Sequence, residues 1–592
     1  MNPSNNPAAG IRRAPWRLWL AGISAGTLLA AMLAPPTGWI ARGQVLMQLG
    51  FARASVEESL GDLGVSGHSS LQSGEERDRI LRVHPNDFQV QLAGAMEAGR
   101  EARERTVPPA IASAGDEIRK LTPRFGSQPG LYAAALRMDT SGVVRIVRPE
   151  TAALAGDEIQ PVKGARALDP ARIETFDRDA ATGERLEPDN AFFPTMRAVG
   201  CFAAHRDDEA ISALLRAADG RKWDEHLADE LDGKWRLVHL RMGDTTAIHT
   251  IAVAAAILFP HYSQIRAVSQ LATLHAMELE KAGHPEEGAR IRRAVMRVGD
   301  LMRSESTSII GNLVGIAVAQ IGVERPGGAT AIKLRQTPSL SIPDRDVILK
   351  KRLDMLSDYW NRNGLAADVP TARARYETGV RLRDQVRHLV ERSLFNESSV
   401  ARLVVLWSAG TLLLANVWWL LVAGGIGSVL LSRRRHAGRE RMPRSGPWVL
   451  AAAAAVFAVL CLNMFSHQWR FVSGLTWVLS ALSGSEGSGP RAQEPLPGML
   501  ALVLGAALPA LLALGSVIVS VARRVPLRVG LARGFSRVGV PLACLLVLAF
   551  CGLCVETARW EVRVNDAVRQ TARHEGRYLA GLAGQEWPGP IE

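Results

Sequence analysis

The sequence predicts a mainly α-helical protein, with a helical-repeat-like extracytoplasmic domain and an α-helical transmembrane bundle of about five spans. Three observations predict it. Five apolar runs approach or reach the length of a bilayer-spanning helix. Basic residues gather in short segments beside those runs. The long stretch between the first and second runs carries apolar residues at helical spacing.

Residues 1–15 read as a cytoplasmic N-terminus and 16–34 as a transmembrane anchor. The first run also has the basic start, apolar middle and small residues (Ala31, Ala34) of a secretory signal. Pro35 and Pro36 follow directly and suit cleavage poorly, so a retained anchor is expected. The later spans are 403–429, 448–465, 499–521 and 538–555. Pro509 and Pro541 lie inside the last two, where neighbouring helices can satisfy the freed backbone groups.

Charge orients these spans. Arg12, Arg13 and Arg17 flank the first run. The 430–447 loop holds six arginines from Arg433 to Arg444 against one acid, Glu440. The 522–537 loop holds Arg523, Arg524, Arg528, Arg533 and Arg537 and no acid. These segments account for the whole net charge of +12. Basic loops stay cytoplasmic, which puts the N-terminus inside and 35–402, 466–498 and 556–592 outside. The basic excess therefore belongs to a membrane protein, with the lipid bilayer as a partner, and nucleic acid is not an expected partner. Arginine outnumbers lysine 62 to 8 beside abundant alanine and glycine, which points to a GC-rich bacterial genome and a bacterial cytoplasmic membrane.

The outer region, 35–324, reads as helical over 43–135, with "HPND" at 84–87 breaking one stretch and Asn86 or Asp87 capping the next. "SGVVRIVRP" reads as a short extended segment. Residues 149–187 are polar and aperiodic and read as a long loop. Residues 188–322 return to helical patterning. Ile251–Phe259 and Ile309–Ile321 are apolar but short for spans, so they read as buried core helices. The Pro/Gly-rich stretch 325–346 is a linker. Residues 347–402 form a helical stalk, with Val380, Arg387 and Leu394 at heptad steps; it runs into the second span or packs as a small bundle on the domain. The 556–592 tail lies on the outer membrane face as an amphipathic helix or packs on the large domain.

One stretch, "EPDNAFFPTMRAVGCFAAHRDDEAISALLRAA" at 187–218, reads as two helices about a polar turn. Asp189 or Asn190 caps the first helix. Asp207, Asp208 and Glu209 complement the dipole of the second. Ala198 and Ala210, twelve residues apart, allow close approach. The stretch resembles a tetratricopeptide repeat. Ala198 and Ala210 match the family's small crossing positions, Leu214 and Ala217 later packing positions, and Cys201 a position that is usually aromatic. Pro194, Arg197 and Lys222 depart from the pattern. A weaker unit at 271–295 sets Ala276 and Gly288 twelve apart about "KAGHPEE", but Arg292 sits at a packing position. A degenerate repeat domain and a generic bundle with one repeat-like hairpin both satisfy this. The resemblance implies a groove in which Phe192, Thr195, Val199 and Phe202 face a protein partner; read alone, the two phenylalanines suit a core.

The sequence offers no catalytic, cofactor-binding or metal-binding residues. Cys201 is the lone cysteine of the outer region, so no internal disulfide is expected there. Cys551 and Cys554 have CxxC spacing inside a span and read as small apolar side chains. No phosphate-binding loop or HExxH motif occurs. His249, His261, His275 and His284 do not share a helix face. No carboxylate pair stands out as an acid–base couple, and the spans are poor in ionisable groups. The expected function is a protein-interaction scaffold or assembly factor. The alternatives are a permease-type subunit working with a separate ATPase, and a membrane enzyme with an unrecognised site.

Overall fold

The computed structural model describes residues 15–48, 71–105, 114–151, 154, 169–242, 247–255, 257, 259–329, 342–391, 402–403, 405–407, 409–421, 423 and 507–582. Every regular element among them is helical, as the fold class required. The chain divides into two units: Met1–His68 with Phe395–Asp566, and Ser69–Leu394 with Ala567–Glu592.

The first unit opens with α1 (Pro15–Leu33) and α2 (Pro35–Gln48). Pro35 and Pro36 lack the N–H groups that a continuing helix needs, and the chain turns by 114° between Trp19–Leu33 and Thr37–Val45. The expected anchor is thus the first arm of a bent pair.

The second unit begins with α3 (Leu71–Val83) and α4 (Phe88–Arg105). The "HPND" break is where it was expected: Asp87 Oδ1 accepts the Val90 N–H at 3.4 Å, and Gln91 donates to the Leu81 and His84 carbonyls. Short helices α5 (Ala114–Arg119), α6 (Thr122–Phe125) and α7 (Pro129–Asp139) follow. "SGVVRIVRP" forms turns and irregular chain, and no strand occurs among the described residues.

The expected loop at 149–187 is corrected by α8 (Pro170–Leu186). Asp169 caps it through the Ala171 N–H, and Pro170 fills its first position. Ile173, Phe176, Ala180 and Gly183 form its buried stripe. That stripe is narrow and set among charges, which is why the segment read as aperiodic.

Two helix hairpins form the centre: α9 (Phe192–Ala203) with α10 (Asp207–Asp219), and α13 (Pro260–Lys281) with α14 (Pro285–Glu305). Between them in sequence lie α11 (Leu227–Met242) and α12 (Ala247–Ala255). In space α9 packs on α13 and α10 on α14. Their apolar faces share one core with α7.

The apolar helix α15 (Ile309–Gly322) packs on α14, as its reading as a core helix required. A Cβ on Gly299 would lie 2.5 Å from Ala319 N, and one on Gly315 2.5 Å from Arg303 N. The two glycines let these backbones meet. Helices α16 (Ile342–Arg362) and α17 (Asp368–Glu391) complete the unit. Leu353, Leu356, Trp360 and Ala372 bury with Ala289 and Met296 of α14, so the segment expected as a stalk packs as a bundle on the domain.

The first unit resumes with α18 (Val405–Leu421), α19 (Ala507–Ala522), α20 (Leu527–Gly534), a π-turn at Phe535–Gly539, and α21 (Val540–Leu582). Small residues close the α19–α20 contact: a Cβ on Gly530 would overlap Ser520 Oγ. Within Arg537–His574 runs a helix long and apolar enough to cross a membrane; Val405–Leu421 and Leu508–Ala522 are shorter apolar helices. The described helices therefore supply one span by length and composition, or two if the bent pair counts as one. The expected span 448–465 lies outside the described residues. The end of α21 belongs to the second unit, where Arg573 pairs with Asp232 at 2.5 Å and stands 6.0 Å from the Trp235 ring. The part of the tail from Ala567 onward is thus tied to the domain by Arg573.

Candidate functional site

The first hairpin is built as its residues suggest. Asn190 Oδ1 accepts the Phe192 N–H, and Pro194 falls in the first turn, where no intrahelical donor is needed. Ala198 and Ala210 are fully buried where the helices cross, and Cys201, Leu214 and Ala217 are buried beside them. The departures from the repeat pattern have their own partners. Arg197 donates to Asp177 of α8 at 2.9 Å, and Lys222 reaches Glu187 at 3.0 Å.

The four expected groove residues do not line a groove. Phe192, Thr195 and Val199 are 0% exposed and Phe202 is 1% exposed. Phe192 meets Phe193 and Trp223 edge-on, at ring distances of 5.4 and 5.7 Å. The Thr195 hydroxyl donates to its own helix at Ala191 O. The helix is apolar on most of its circumference, so it is sunk between α8, α10 and α13, and a partner cannot reach these side chains. Burial also raises the Cys201 thiol to about 11, which leaves it unreactive.

Beneath Phe192 lies a polar cluster that the sequence did not reveal. Pro260 starts α13 and puts His261 and Tyr262 in its first turn. His261 Nε2 stands 2.7 Å from Glu225 Oε2, and the Tyr262 hydroxyl donates to Glu225 Oε1 at 2.7 Å. Ser306 also donates to Glu225, and Ser308 lies 2.9 Å from the Tyr262 hydroxyl. Close by, Arg137 and Lys234 donate to Glu230 at 2.7 and 2.5 Å.

The electrostatics assign protons. Burial alone would raise the Glu225 carboxyl, but hydrogen bonds from His261 and Tyr262 and the Arg137 charge outweigh it and hold it below its usual range. Burial lowers His261, and Glu225 offsets only part of this. The pair is then carboxylate and neutral imidazole, with Nε2–H donating. Glu230 is held at about 2: its burial is outweighed by Lys234 and Arg137.

A second cluster sits nearer the surface. His226, in the left-handed region at φ 54°, bridges Glu187 at 3.0 Å and Asp229 at 3.2 Å. Its pKa rises to about 9, because these carboxylates overcome its burial. Glu187 falls to about 2 despite burial, through His226, Asn190 and Lys222. This latch ties the chain entering α9 to the chain leaving α10.

Acid–base groups are thus present, but Glu225 and His261 are fully buried and Tyr262 is 4% exposed, so in this structure they tie helices together and do not meet a substrate. No group of three or more metal-ligating side chains is found among the described residues. Sequence reading missed Glu225 because it lies in the short loop before α11, far from His261 along the chain. No protein-family model, curated protein or solved structure matches the chain.

Proposed function

We propose that the chain is an integral protein of a bacterial cytoplasmic membrane whose helical domain serves as a protein-interaction scaffold or assembly factor on the outer face. The reading keeps five spans, an inward N-terminus and an outward C-terminus. The observation that carries it is the pair of stacked hairpins. Helix-hairpin stacks offer extended helix surfaces to other proteins, and the tetratricopeptide resemblance points the same way. The contact surface is not the buried Phe192 face. It is the exposed side of α14, where Arg290 and Arg297 stand two turns apart.

The test is co-purification of the full chain in mild detergent from its host, with an Arg290→Glu/Arg297→Glu variant beside it. The expected outcome is an external protein retained by wild type and lost by the folded variant. A cytoplasmic ATPase held equally by both would replace this reading with the permease-type subunit. Labelling of cysteines placed in 430–447 and 522–537 tests topology; labelling from outside would reverse it.

A further inference from the structure

The first unit holds a groove of about 580 Å³ between α18 and α21. Its walls are apolar: Ala409, Leu412 and Leu413 on one helix, and Ala549, Gly552 and Leu553 on the other. Asn416 lines it too, but its side chain is engaged by Leu412 O at 2.9 Å and Leu508 N at 3.2 Å. A Cβ on Gly552 would meet nothing within 4 Å, so the slot is open along this side among the described residues.

Charge gathers where Glu556 lines the groove. Glu556 accepts Trp560 Nε1 at 2.9 Å and lies 3.4 Å from Arg402 and 3.7 Å from Arg559. The Arg402 guanidinium stands 4.4 Å from the Trp560 ring, and that of Arg563 5.8 Å from it. Arg402 and Arg559 thus flank Glu556, and Arg402 and Arg563 flank the half-buried Trp560. Buried Glu561 accepts Trp407 Nε1 at 2.5 Å. Three exposed arginines against two carboxylates leave net positive charge beside an apolar slot. Tryptophan and arginine at the end of an apolar segment mark a membrane–water interface.

We infer that this groove holds one anionic phospholipid, with an acyl chain along the α18–α21 slot and its phosphate at Arg402, Arg559 and Arg563. The inference rests on the membrane reading above. The occupant is chosen by charge: Glu556 is already engaged by Arg402, Arg559 and Trp560, so the uncompensated charge at the mouth suits a phosphodiester with no neutralising amine. Each arginine near a membrane surface favours an anionic headgroup about fivefold.

The test reconstitutes the full chain into vesicles of phosphatidylglycerol and phosphatidylethanolamine in equal parts, with a photoactivatable acyl chain on one lipid at a time. Crosslinks are mapped by mass spectrometry. Phosphatidylglycerol is expected to label 409–413 and 549–553 in preference to phosphatidylethanolamine. Arg402→Gln should lower the phosphatidylglycerol signal about fivefold and leave the other lipid unchanged. Gly552→Leu should remove both signals by filling the slot, with circular dichroism showing that the helices persist. Equal labelling by both lipids, unmoved by Arg402→Gln, would mean ordinary annular contact and overturn the inference. An unlabelled groove in a chain that resists alkaline extraction would mean another part of the protein covers it, and overturns the inference alone. Release of the chain by alkali would remove the membrane reading itself.

Discussion

The two hairpins share a backbone plan and differ in what they bury. In each, two small residues twelve apart meet at the crossing, Ala198 with Ala210 and Ala276 with Gly288. In each, the first helix ends in a residue of positive φ, His205 at 57° and Gly283 at 91°. The N–H after that residue bonds five residues back, from Arg206 to Cys201 O and from His284 to Leu279 O, as in a Schellman ending. Acidic residues open each second helix. Four residues beyond each crossing position the chemistry diverges. The first hairpin buries Phe202 and Leu214; the second buries Glu280 and Arg292.

That exchange explains why Arg292 looked wrong for a repeat. Its five N–H donors are all used. Two go to Glu280, at 2.6 and 3.0 Å, and three to the carbonyls of Gly322, Glu324 and Arg325. Glu280 also accepts the Gly327 N–H. The ion pair satisfies the carbonyls where α15 ends and fixes the chain beyond it. The lesson is that one hairpin frame closes either as a plain apolar contact or as an anchor for a third helix.

The largest expected effect breaks the anchor. Arg292→Leu leaves buried Glu280 without its ion-pair partner and should cost about 3–5 kcal/mol, read as a lowered unfolding midpoint of the full chain. Converting the site to the apolar type, with Glu280→Phe added, should recover part of this while amide exchange at 322–327 stays fast. Loss equal to the sum of the two single changes would mean that the hairpins are not equivalent frames.

Next comes the crossing. A Cβ on Gly288 would sit 2.9 Å from Ala276 O, a backbone atom that cannot swing aside. Gly288→Ala should destabilise by about 1–3 kcal/mol, although the first hairpin carries alanine at the matching place. No loss would show that the two crossings have the same spacing.

The turns give a smaller pair of opposite sign. Gly283→Ala meets no atoms but forces alanine into the left-handed region, at about 1–2 kcal/mol. His205→Gly removes that strain from the first turn and should stabilise by up to about 1 kcal/mol. A loss on His205→Gly would mean that the His205 side chain contributes something beyond the turn.

How much of this was legible follows from distance along the chain. The hairpins were visible because their crossing residues, turn and acidic start are local. The helix α8 was half visible: "LDPAR" carries its cap and Pro start, but its stripe of Ile173, Phe176 and Ala180 is diluted by Asp and Arg. The Glu225–His261 pair was invisible, since neither residue carries a mark of the other. The groove reading failed for a physical reason. A lone repeat helix has one covered face, whereas α9 has neighbours on several sides, so Phe192 and Val199 became core.

The smallest expected effect separates the two histidine sites. His226 has a raised pKa of about 9 against 6.5 for the free side chain. Its bonds to Glu187 and Asp229 therefore contribute fully below about pH 6.5 and fade as pH rises through about 9. Glu187, held at about 2, stays charged across that range and contributes nothing to the change. Asp224, Asp229 and Lys222 face the same cluster. His261 has the opposite sign: its pKa is lowered, so its contribution is intact above about pH 6.5 and lost on acidification. Unfolding midpoints taken from pH 6.5 to 9.5 should fall in wild type and fall less in His226→Asn, since asparagine tolerates the left-handed backbone. Identical slopes in the two proteins would show that the His226 latch carries no net stability and would leave Asn190 and Lys222 to hold that end of the hairpin.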